Sequence, residues 1–496
     1  MVSTRITINL MLSTVSLLIL LWALPLMKTY ADEPEEGTVI AAQQLHKAGK
    51  AARTVHQSSP ISEVAPFNDP LYGEQWYLDA ISLTAALDAV TANIDPNDLH
   101  PVIVAVIDSG IDVNHPEFRG QLLQGFNYIA PGAPPIDDFG EGTHVAGLIS
   151  ARQNNAIGIV GVSADVHIAP YKILNITGRG TITNYAQAVR DAADNGADII
   201  FLGAITPTSS TVLDNAVKYA YAKGVLLISP VGDSSLLNVL FPAAFEEVMA
   251  VAATTITNSH VISSNIGAEV ELAAPGGDEM NPILSTWPGG IYCASSKRVE
   301  ILSTYCHGDG TFNAAALVTG AAALLWSIRP ELTAEQIRYL LRDTARPLNA
   351  PASAVGTGLL DLHTAVRYIL PPDLQLSTAK IQQQVTINAL PLSTTITLSN
   401  PSIQPITWTV SAPSAHWLSI IGDSHGTVRY DAPHELALQL TSAGLSPGCY
   451  RTEITVTGAQ TDLADLIRIV DVELVVADDL DHLPLCNSIW LPFVSQ

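Results

Sequence analysis

The sequence predicts an α/β domain, a parallel sheet flanked by helices, followed by a small all-β sandwich domain. Two observations lead to this prediction. Residues 68–370 alternate between short apolar strands and amphipathic helices, the pattern of a parallel sheet covered on both faces. After Pro371 and Pro372 the pattern changes to short strands of alternating polarity separated by turn residues, which is typical of a β-sandwich.

The N-terminal segment, residues 1–31, is predicted to be a secretory signal peptide. Arg5 precedes a mostly apolar run from Ile8 to Met27, and cleavage is expected after Ala31. The run is close to the length that spans a bilayer, so an uncleaved anchor is the alternative. We therefore expect a secreted or cell-surface protein with a short leader or linker at residues 32–67 and no further membrane span.

The predicted strands of the α/β domain are continuous apolar runs, as expected for strands buried on both faces. They lie at residues 102–107, 225–229 and 248–253. Helices are predicted over residues 184–195 and 213–223. A capping box at residues 333–336 (TAEQ) predicts the start of another helix that runs to about residue 342.

The predicted sandwich covers residues 371–478 and is followed by a tail, residues 479–496. Its strands are short and alternate in polarity. They are predicted at residues 394–398, 407–410, 437–440, 453–456 and 467–476.

Charge and cysteine content restrict the function classes. The chain has 47 acidic against 23 basic residues, so it lacks the concentrated basic surface that nucleic-acid binding needs. An exported chain can form disulfides, and the spacing predicts the pairs Cys293–Cys306 and Cys449–Cys486. No CxxC or clustered Cys/His spacing indicates a metal site on these cysteines.

Several motifs between residues 68 and 370 occur in the order of one enzyme family. Residues 104–118 (VAVIDSGIDVNHPEF) resemble the aspartate motif of the subtilisin-like serine proteases, the subtilases. Agreement continues through the histidine motif, the loop after it, the serine-motif helix, the closing helix, the final turn and the start of the mature domain. These are residues 142–147 (GTHVAG), 154–161 (NNAIGIVG), 310–320 (GTFNAAALVTG), 332–337 (LTAEQI), 356–361 (GTGLLD) and 68–76 (NDPLYGEQW). The resemblance implies a subtilisin-like sheet and, for the family, serine endopeptidase activity.

The resemblance assigns the aspartate of the catalytic triad to Asp108, but it leaves the histidine position without an imidazole. The family motif Gly-His-Gly-Thr-His is Gly-Glu-Gly-Thr-His here, so Glu141 stands at the base position and His144 matches the second, structural histidine. A glutamate has a reference pKa of about 4.3 and is a weak base at neutral pH. A glutamate base does occur in the acid-acting sedolisin relatives.

The serine and oxyanion positions are also changed. Phe312 stands where the family has its nucleophilic serine, and Asp233 stands where an asparagine donates to the oxyanion. A carboxylate only accepts hydrogen bonds and would repel a developing oxyanion. The substrate-groove strand, residues 201–205 (FLGAI), departs from the family pattern as well.

These substitutions fall at three independent chemical positions whose flanking residues still match. Triad residues act as a unit, so each loss is severe. We therefore hypothesise a proteolytically inactive subtilase homologue that binds a peptide or protein in the remnant cleft. Two alternatives stay open: a protease with an unusual nucleophile at Thr311 or Asn313, and an acid hydrolase using the Asp108–Glu141 carboxylate pair.

The resemblance also implies a structural calcium site around the loop at residues 153–159. Oxygen ligands in a flexible loop suit Ca²⁺. A surface loop with incidental polar groups is the alternative. By resemblance the side-chain ligands are Asp69, Glu117 and Asn155, and the backbone carbonyl ligands are Gln153, Ile157 and Ile159.

The C-terminal segment resembles the BACON-type and related Ig-like repeats of secreted bacterial proteins. The resemblance rests on Trp408 and on the segments 397–400 (TLSN), 417–420 (WLSI) and 445–450 (LSPGCY). A glycan platform built on Trp408 and Trp417 is one interpretation, and core packing is the favoured one.

Overall fold

The computed structural model describes residues 38–41, 66–164, 166–293, 304–411, 413–430, 432–459 and 465–479. The predicted signal peptide, most of the predicted leader, nearly all of the predicted tail and Cys486 lie outside the described residues. Part of the predicted leader does contribute to the fold: β1 (Thr38–Ala41) is a strand.

The first domain alternates strands and helices as predicted. Its further strands are β2 (Ile103–Asp108), β3 (Phe126–Asn127), β4 (His167–Lys172), β5 (Arg179–Thr181), β6 (Ile199–Leu202), β7 (Ala204–Ile205), β8 (Leu226–Pro230), β9 (Val248–Thr254), β10 (Val270–Pro275), β11 (Ile283–Thr286) and β12 (Tyr305–Gly308). Its helices are α1 (Trp76–Ala80), α2 (Leu83–Asn93), α3 (Glu141–Ser150), α4 (Ile182–Asp194), α5 (Thr211–Ala222), α6 (Thr311–Ile328), α7 (Ala334–Asp343), α8 (Ala352–Val355) and α9 (Leu362–Ile369). Short 3-10 turns lie at Tyr72–Glu74, Pro96–Asp98 and Pro116–Phe118.

Seven of these strands form one sheet in the order β10-β9-β8-β6-β2-β4-β3. Every neighbouring pair in it is parallel, which confirms the predicted fold class. In a parallel sheet the carboxyl ends of the strands meet at one edge, where ligand sites of open α/β sheets lie. Asp108, the last residue of β2, pairs with Lys172 at that edge.

Helices cover both faces of this sheet. One apolar core contains residues of α2, α3, α6, α7 and α9, and the other contains residues of α4 and α5. Within the described part of the chain, α6 is the one helix long and apolar enough to span a membrane, and 94% of it is buried inside the domain. The capping box predicted before α7 is present: Thr333 Oγ1 accepts from the Gln336 N–H, and Gln336 Oε1 accepts from the Thr333 N–H.

The second domain is a sandwich of two sheets, as predicted. One sheet has the order β13-β15-β19-β17 and the other β14-β21-β20-β16-β18. The strands are β13 (Gln375–Leu376), β14 (Lys380–Thr386), β15 (Leu392–Ser399), β16 (Ile406–Val410), β17 (Leu418–Ile421), β18 (His425–Val428), β19 (His434–Leu440), β20 (Gly448–Ala459) and β21 (Leu466–Ala477). Trp408 and Trp417 are 1% and 4% exposed in its core, so neither ring offers a face to a sugar.

The predicted Cys293–Cys306 disulfide is present, with the Cα atoms 5.9 Å apart. It ties β12 to the chain that leaves β11, the strand with which β12 pairs. Cys449 is also disulfide-bonded, while its predicted partner lies outside the described residues.

Candidate active site

Asp108 is fully buried at the carboxyl end of β2, where the resemblance places the triad aspartate. Its Oδ1 accepts the Ser109 N–H at 2.5 Å. Its Oδ2 accepts no hydrogen bond from the described residues. A triad aspartate would use such an oxygen to hold the imidazole N–H. Burial raises the pKa of Asp108 well above its usual value, and the negative charge of Asp137 raises it further, against the lowering by the Ser109 N–H.

Glycine at position 203 makes room for this carboxylate. A Cβ placed on Gly203 would lie 1.9 Å from Asp108 Oδ2, closer than any side chain could come. Gly203 is the single residue between β6 and β7, so the beginning of β7 lies against Asp108.

A buried aspartate that the sequence analysis missed, Asp137, organises the start of α3. Its carboxylate accepts the Gly140 N–H at 2.7 Å, the Thr143 N–H at 2.9 Å and the Ser109 hydroxyl at 2.8 Å. The Ser109 hydroxyl in turn accepts the Gly142 N–H at 3.0 Å, which joins the end of β2 to the start of α3. The acidic pair Asp137-Asp138 just before the glycine-rich segment was the available sequence signal.

Glu141 is the first residue of α3 and is buried. The Gly142 N–H donates to the Ser109 hydroxyl. Asp108 directly precedes Ser109 and Glu141 directly precedes Gly142, so this hydrogen bond brings the two acidic residues near each other. A carboxylate at a helix N-terminus is favoured by the helix dipole. His144 lies about one turn further along α3. Burial, and to a smaller extent the charge of His307, lower its pKa to about 3, so the imidazole is neutral.

Phe312, which the resemblance assigns to the serine position, is the second residue of α6 and is completely buried. Its ring packs edge-to-face on Phe201 of β6, with the centroids 5.4 Å apart and the planes at 87°. It belongs to the core that contains α3 and α7. The residue that the resemblance assigns to the nucleophile position is therefore a core residue.

The side chain of Asp233, which the resemblance assigns to the oxyanion position, bonds to the N-terminus of α6. Its Oδ1 and Oδ2 accept the Thr311 N–H at 2.9 and 3.1 Å, and Oδ2 also accepts the Thr311 hydroxyl at 2.9 Å. Gly310, at φ +124°, leaves room for the carboxylate, since a Cβ there would lie 2.7 Å from Oδ2. Burial raises the pKa of Asp233 to about 7, against the lowering by the two Thr311 donors. The residue therefore caps the N-terminus of α6.

The predicted calcium side chains also come together. Asn155 links the two carboxylates: its N–H lies 3.2 Å from Asp69 Oδ1, and its Nδ2 lies 2.9 Å from Glu117 Oε2. Glu117 Oε1 accepts the Ile159 N–H at 2.9 Å and the Tyr305 hydroxyl at 2.8 Å. Burial raises the pKa of Glu117 to about 6, with these donors opposing the shift. Carboxylate and amide oxygens are ligands that suit Ca²⁺, but Asn155 turns its amide nitrogen, not its oxygen, towards Glu117.

The other two predicted ligand residues flank this cluster. Gln153 Nε2 donates to the Gly161 carbonyl at 2.8 Å, and the Ile157 N–H donates to Asn155 Oδ1 at 2.7 Å.

Comparison with known proteins agrees with this geometry. A family model described as the subtilase family, peptidase S8, matches residues 100–358. Subtilisin BL from Lederbergia lenta is 36% identical over 267 residues, covering 54% of this chain and 91% of that protein. Thermophilic serine proteinase from Bacillus sp. (strain AK1) is 33% identical over 265 residues, covering 53% of this chain but only 61% of that protein.

Two solved structures share the fold. One, described as proteases from Pseudoalteromonas arctica PAMC 21717, has a TM-score of 0.53 and 25% identity, covering 61% of this chain and 99% of that chain. The other, a lanthipeptide protease, has a TM-score of 0.52 and 28% identity, covering 59% and 94%. The chain belongs to the subtilase family.

Proposed function

We propose that this subtilase is proteolytically inactive and binds an extended peptide, or an extended segment of a protein, beside the former catalytic centre. The observation that carries the proposal is that the residues assigned to the serine and oxyanion positions have structural roles. Phe312 is built into the core, and Asp233 is built into the cap of α6. Neither arrangement leaves a nucleophile or an oxyanion donor at its family position.

The support for binding is a strand-pairing site. β5 and β7 take β1 between them as an antiparallel strand, so their edges are geometrically suited to an extended peptide. Hydrolysis needs the missing hydroxyl and imidazole, whereas strand pairing needs only backbone groups.

We expect residues 32–496 to leave fluorescent casein uncut from acid to alkaline pH in the presence of calcium. We also expect no labelling by a fluorophosphonate, which reacts with activated serines. An active subtilisin in parallel validates both assays. Cleavage that follows the purified chain through chromatography would contradict the proposal.

An acid hydrolase is the second candidate, because burial raises the pKa of Asp108 and favours its protonated form. An acid–base pair with Glu141 would give activity below about pH 5 and resistance to serine-directed inhibitors. Loss of such activity in both Asp108→Asn and Glu141→Gln would support it.

An unusual nucleophile has less support. Thr311 and Asn313 are both fully buried, and the Thr311 hydroxyl donates to Asp233. The Asn313 amide donates to the Gly276 carbonyl at 3.3 Å. Loss of measured activity on replacing either residue by alanine would support this candidate.

We also propose that the Asp69–Glu117–Asn155 cluster binds a structural calcium ion, with carbonyls of Gln153, Ile157 and Ile159 completing the set. Saturating calcium, about 100 times the dissociation constant, should stabilise the chain by about 2.7 kcal/mol relative to EDTA. The measurement is a thermal melt at both conditions. Asn155→Ala should abolish the difference between the melts with calcium and with EDTA. The control Asn195→Ala, at the residue that follows α4, should keep that difference. Equal melts of the parent chain with calcium and EDTA would contradict the site.

Export is part of the same proposal. The Cys293–Cys306 disulfide supports export, because disulfides persist in oxidising compartments. The N-terminal sequence is the predicted export signal. Glycan adhesion by the sandwich remains a separate candidate, tested by glycan binding to residues 371–496. Because Trp408 and Trp417 are buried, such binding would have to use other residues.

A further inference from the structure

We infer that His363 and Arg367, both on α9, form a pH-sensitive junction that holds the sandwich against the α/β domain and loosens when His363 is protonated. The junction joins the last helix of the α/β domain to two loops of the sandwich. It is independent of the proposed peptide binding.

The side chain of Arg367 is the centre of this junction. Its Nη1 donates to the Pro401 carbonyl at 2.9 Å, and its guanidinium carbon lies 4.4 Å from the centroid of the Tyr430 ring. A guanidinium over an aromatic face is a favourable cation–π contact. The Arg367 carbonyl accepts the Ile403 N–H at 3.3 Å. Pro401 and Ile403 lie between β15 and β16, and Tyr430 lies between β18 and β19, so one residue of α9 contacts both loops.

The imidazole of His363 can support the guanidinium only while it is neutral. Arg367 Nε lies 3.2 Å from His363 Nε2, and the Tyr430 hydroxyl lies 3.4 Å from the same nitrogen. Because an arginine only donates hydrogen bonds, His363 Nε2 must accept, and the proton of the neutral ring is assigned to Nδ1. Protonation of Nε2 removes this acceptor and places two positive charges next to each other.

The surroundings of His363 favour its neutral form. Burial and the charge of Arg367 lower the pKa of His363, while the charge of Asp361, the residue that caps α9, opposes the shift. From the sandwich, the titratable group that faces the imidazole is the Tyr430 hydroxyl, and the two rings meet edge-to-face with centroids 5.5 Å apart. In the described part of the chain, the helices packed on α9, which are α2, α6 and α7, bring no charge that shifts this pKa.

The direction of the pH effect follows from the lowered pKa. Protonation favours the open junction, in which His363 regains its ordinary pKa of 6.5. The contribution of His363 is therefore complete above about pH 6.5 and is lost as the pH falls below it. A second contact does not titrate, because Gln375 of β13 donates its amide to the Asn93 amide oxygen at 3.0 Å. Acid should thus loosen the contacts of Arg367 without separating the domains.

The test is hydrogen exchange of residues 32–496, read on the peptide that contains Ile403 and corrected for the pH dependence of intrinsic exchange. In the parent chain this amide should exchange about 10-fold faster at about pH 5 than at about pH 7.5, as expected for the loss of one hydrogen bond to a charged group. His363→Gln keeps an acceptor for Arg367 and cannot be protonated, so its corrected exchange should be the same at both pH values. His416→Gln, which removes an exposed histidine of the sandwich, should behave as the parent chain.

Arg367→Ala provides the reference for an open junction. Its Ile403 amide should exchange fast at both pH values, with unchanged α6 amides showing that the α/β domain remains folded. Slow exchange in Arg367→Ala at neutral pH would overturn the inference, because it would mean that the guanidinium does not hold the loop. Equal corrected exchange of the parent chain at the two pH values would also overturn it, as would the same acid response in His363→Gln.

Discussion

Replacing Phe312 by serine should lower the free energy of unfolding of the α/β domain by about 3–5 kcal/mol instead of creating a protease. The ring is completely buried and packs on Phe201, so its removal leaves a cavity that also contains an unsatisfied hydroxyl. The resemblance assigns Glu141 to the base position, so we expect the new hydroxyl to have no imidazole to take its proton. Urea unfolding of the full chain, with hydrogen exchange in α6 as a local readout, measures the loss.

The control for this prediction is Phe312→Leu, which keeps an apolar side chain and should cost less than about 1.5 kcal/mol. A double-mutant cycle with Phe201→Leu should return a coupling of about 0.5–1.5 kcal/mol for the edge-to-face pair. A serine variant as stable as the parent chain would show that the position is not part of the core. Casein cleavage by that variant would show that the rest of the site is competent.

The fold was predictable because its signals are local or repeat along the chain. Continuous apolar runs indicated β2, β8 and β9, and the TAEQ capping box indicated the start of α7. Alternating polarity indicated five of the sandwich strands, although β13, β14, β17 and β18 were not predicted.

The flanking motifs fix the alignment and therefore predict which family positions are substituted. The contacts of the replacing residues could not be predicted from the sequence, because they join residues far apart in the chain. The pairing of Asp233 with the N–H of Thr311 spans 78 positions, and neither residue alone indicates a helix cap.

The strand β1 illustrates the same limit in the predicted leader. Residues 38–40 are β-branched, which was a weak signal for an extended segment. Their partners lie about 140 residues or more further along the chain, in β5 and β7. A strand of four residues becomes recognisable only once its neighbours are placed.

The free energy of unfolding should decrease as the pH rises from about 4 to about 7, and Asp233→Asn should remove the part of that decrease that comes from Asp233. The pKa of Asp233 is about 7 in the folded chain against 3.8 as the ordinary value. Between these values the folded state binds the proton and the unfolded state does not, so the contribution is complete below about pH 4 and is lost as the pH rises through 7. At about 1.36 kcal/mol for each pH unit, the loss approaches about 4 kcal/mol.

The comparison between the parent chain and Asp233→Asn isolates this carboxyl group. Asp108 and Glu117 also have raised pKa values and give losses of the same sign, but both residues are present in both chains, so their contributions cancel in the difference. An asparagine oxygen can still accept the Thr311 N–H, so the cap survives while the buried charge does not. We expect the variant to be the more stable chain at pH 8, with the advantage shrinking towards pH 5.

The measurement is urea unfolding at several pH values, with the exposed Asp98→Asn as a charge control. Parallel pH profiles for parent and variant would contradict the prediction, because they would mean that folding does not change proton binding by Asp233 in this pH range.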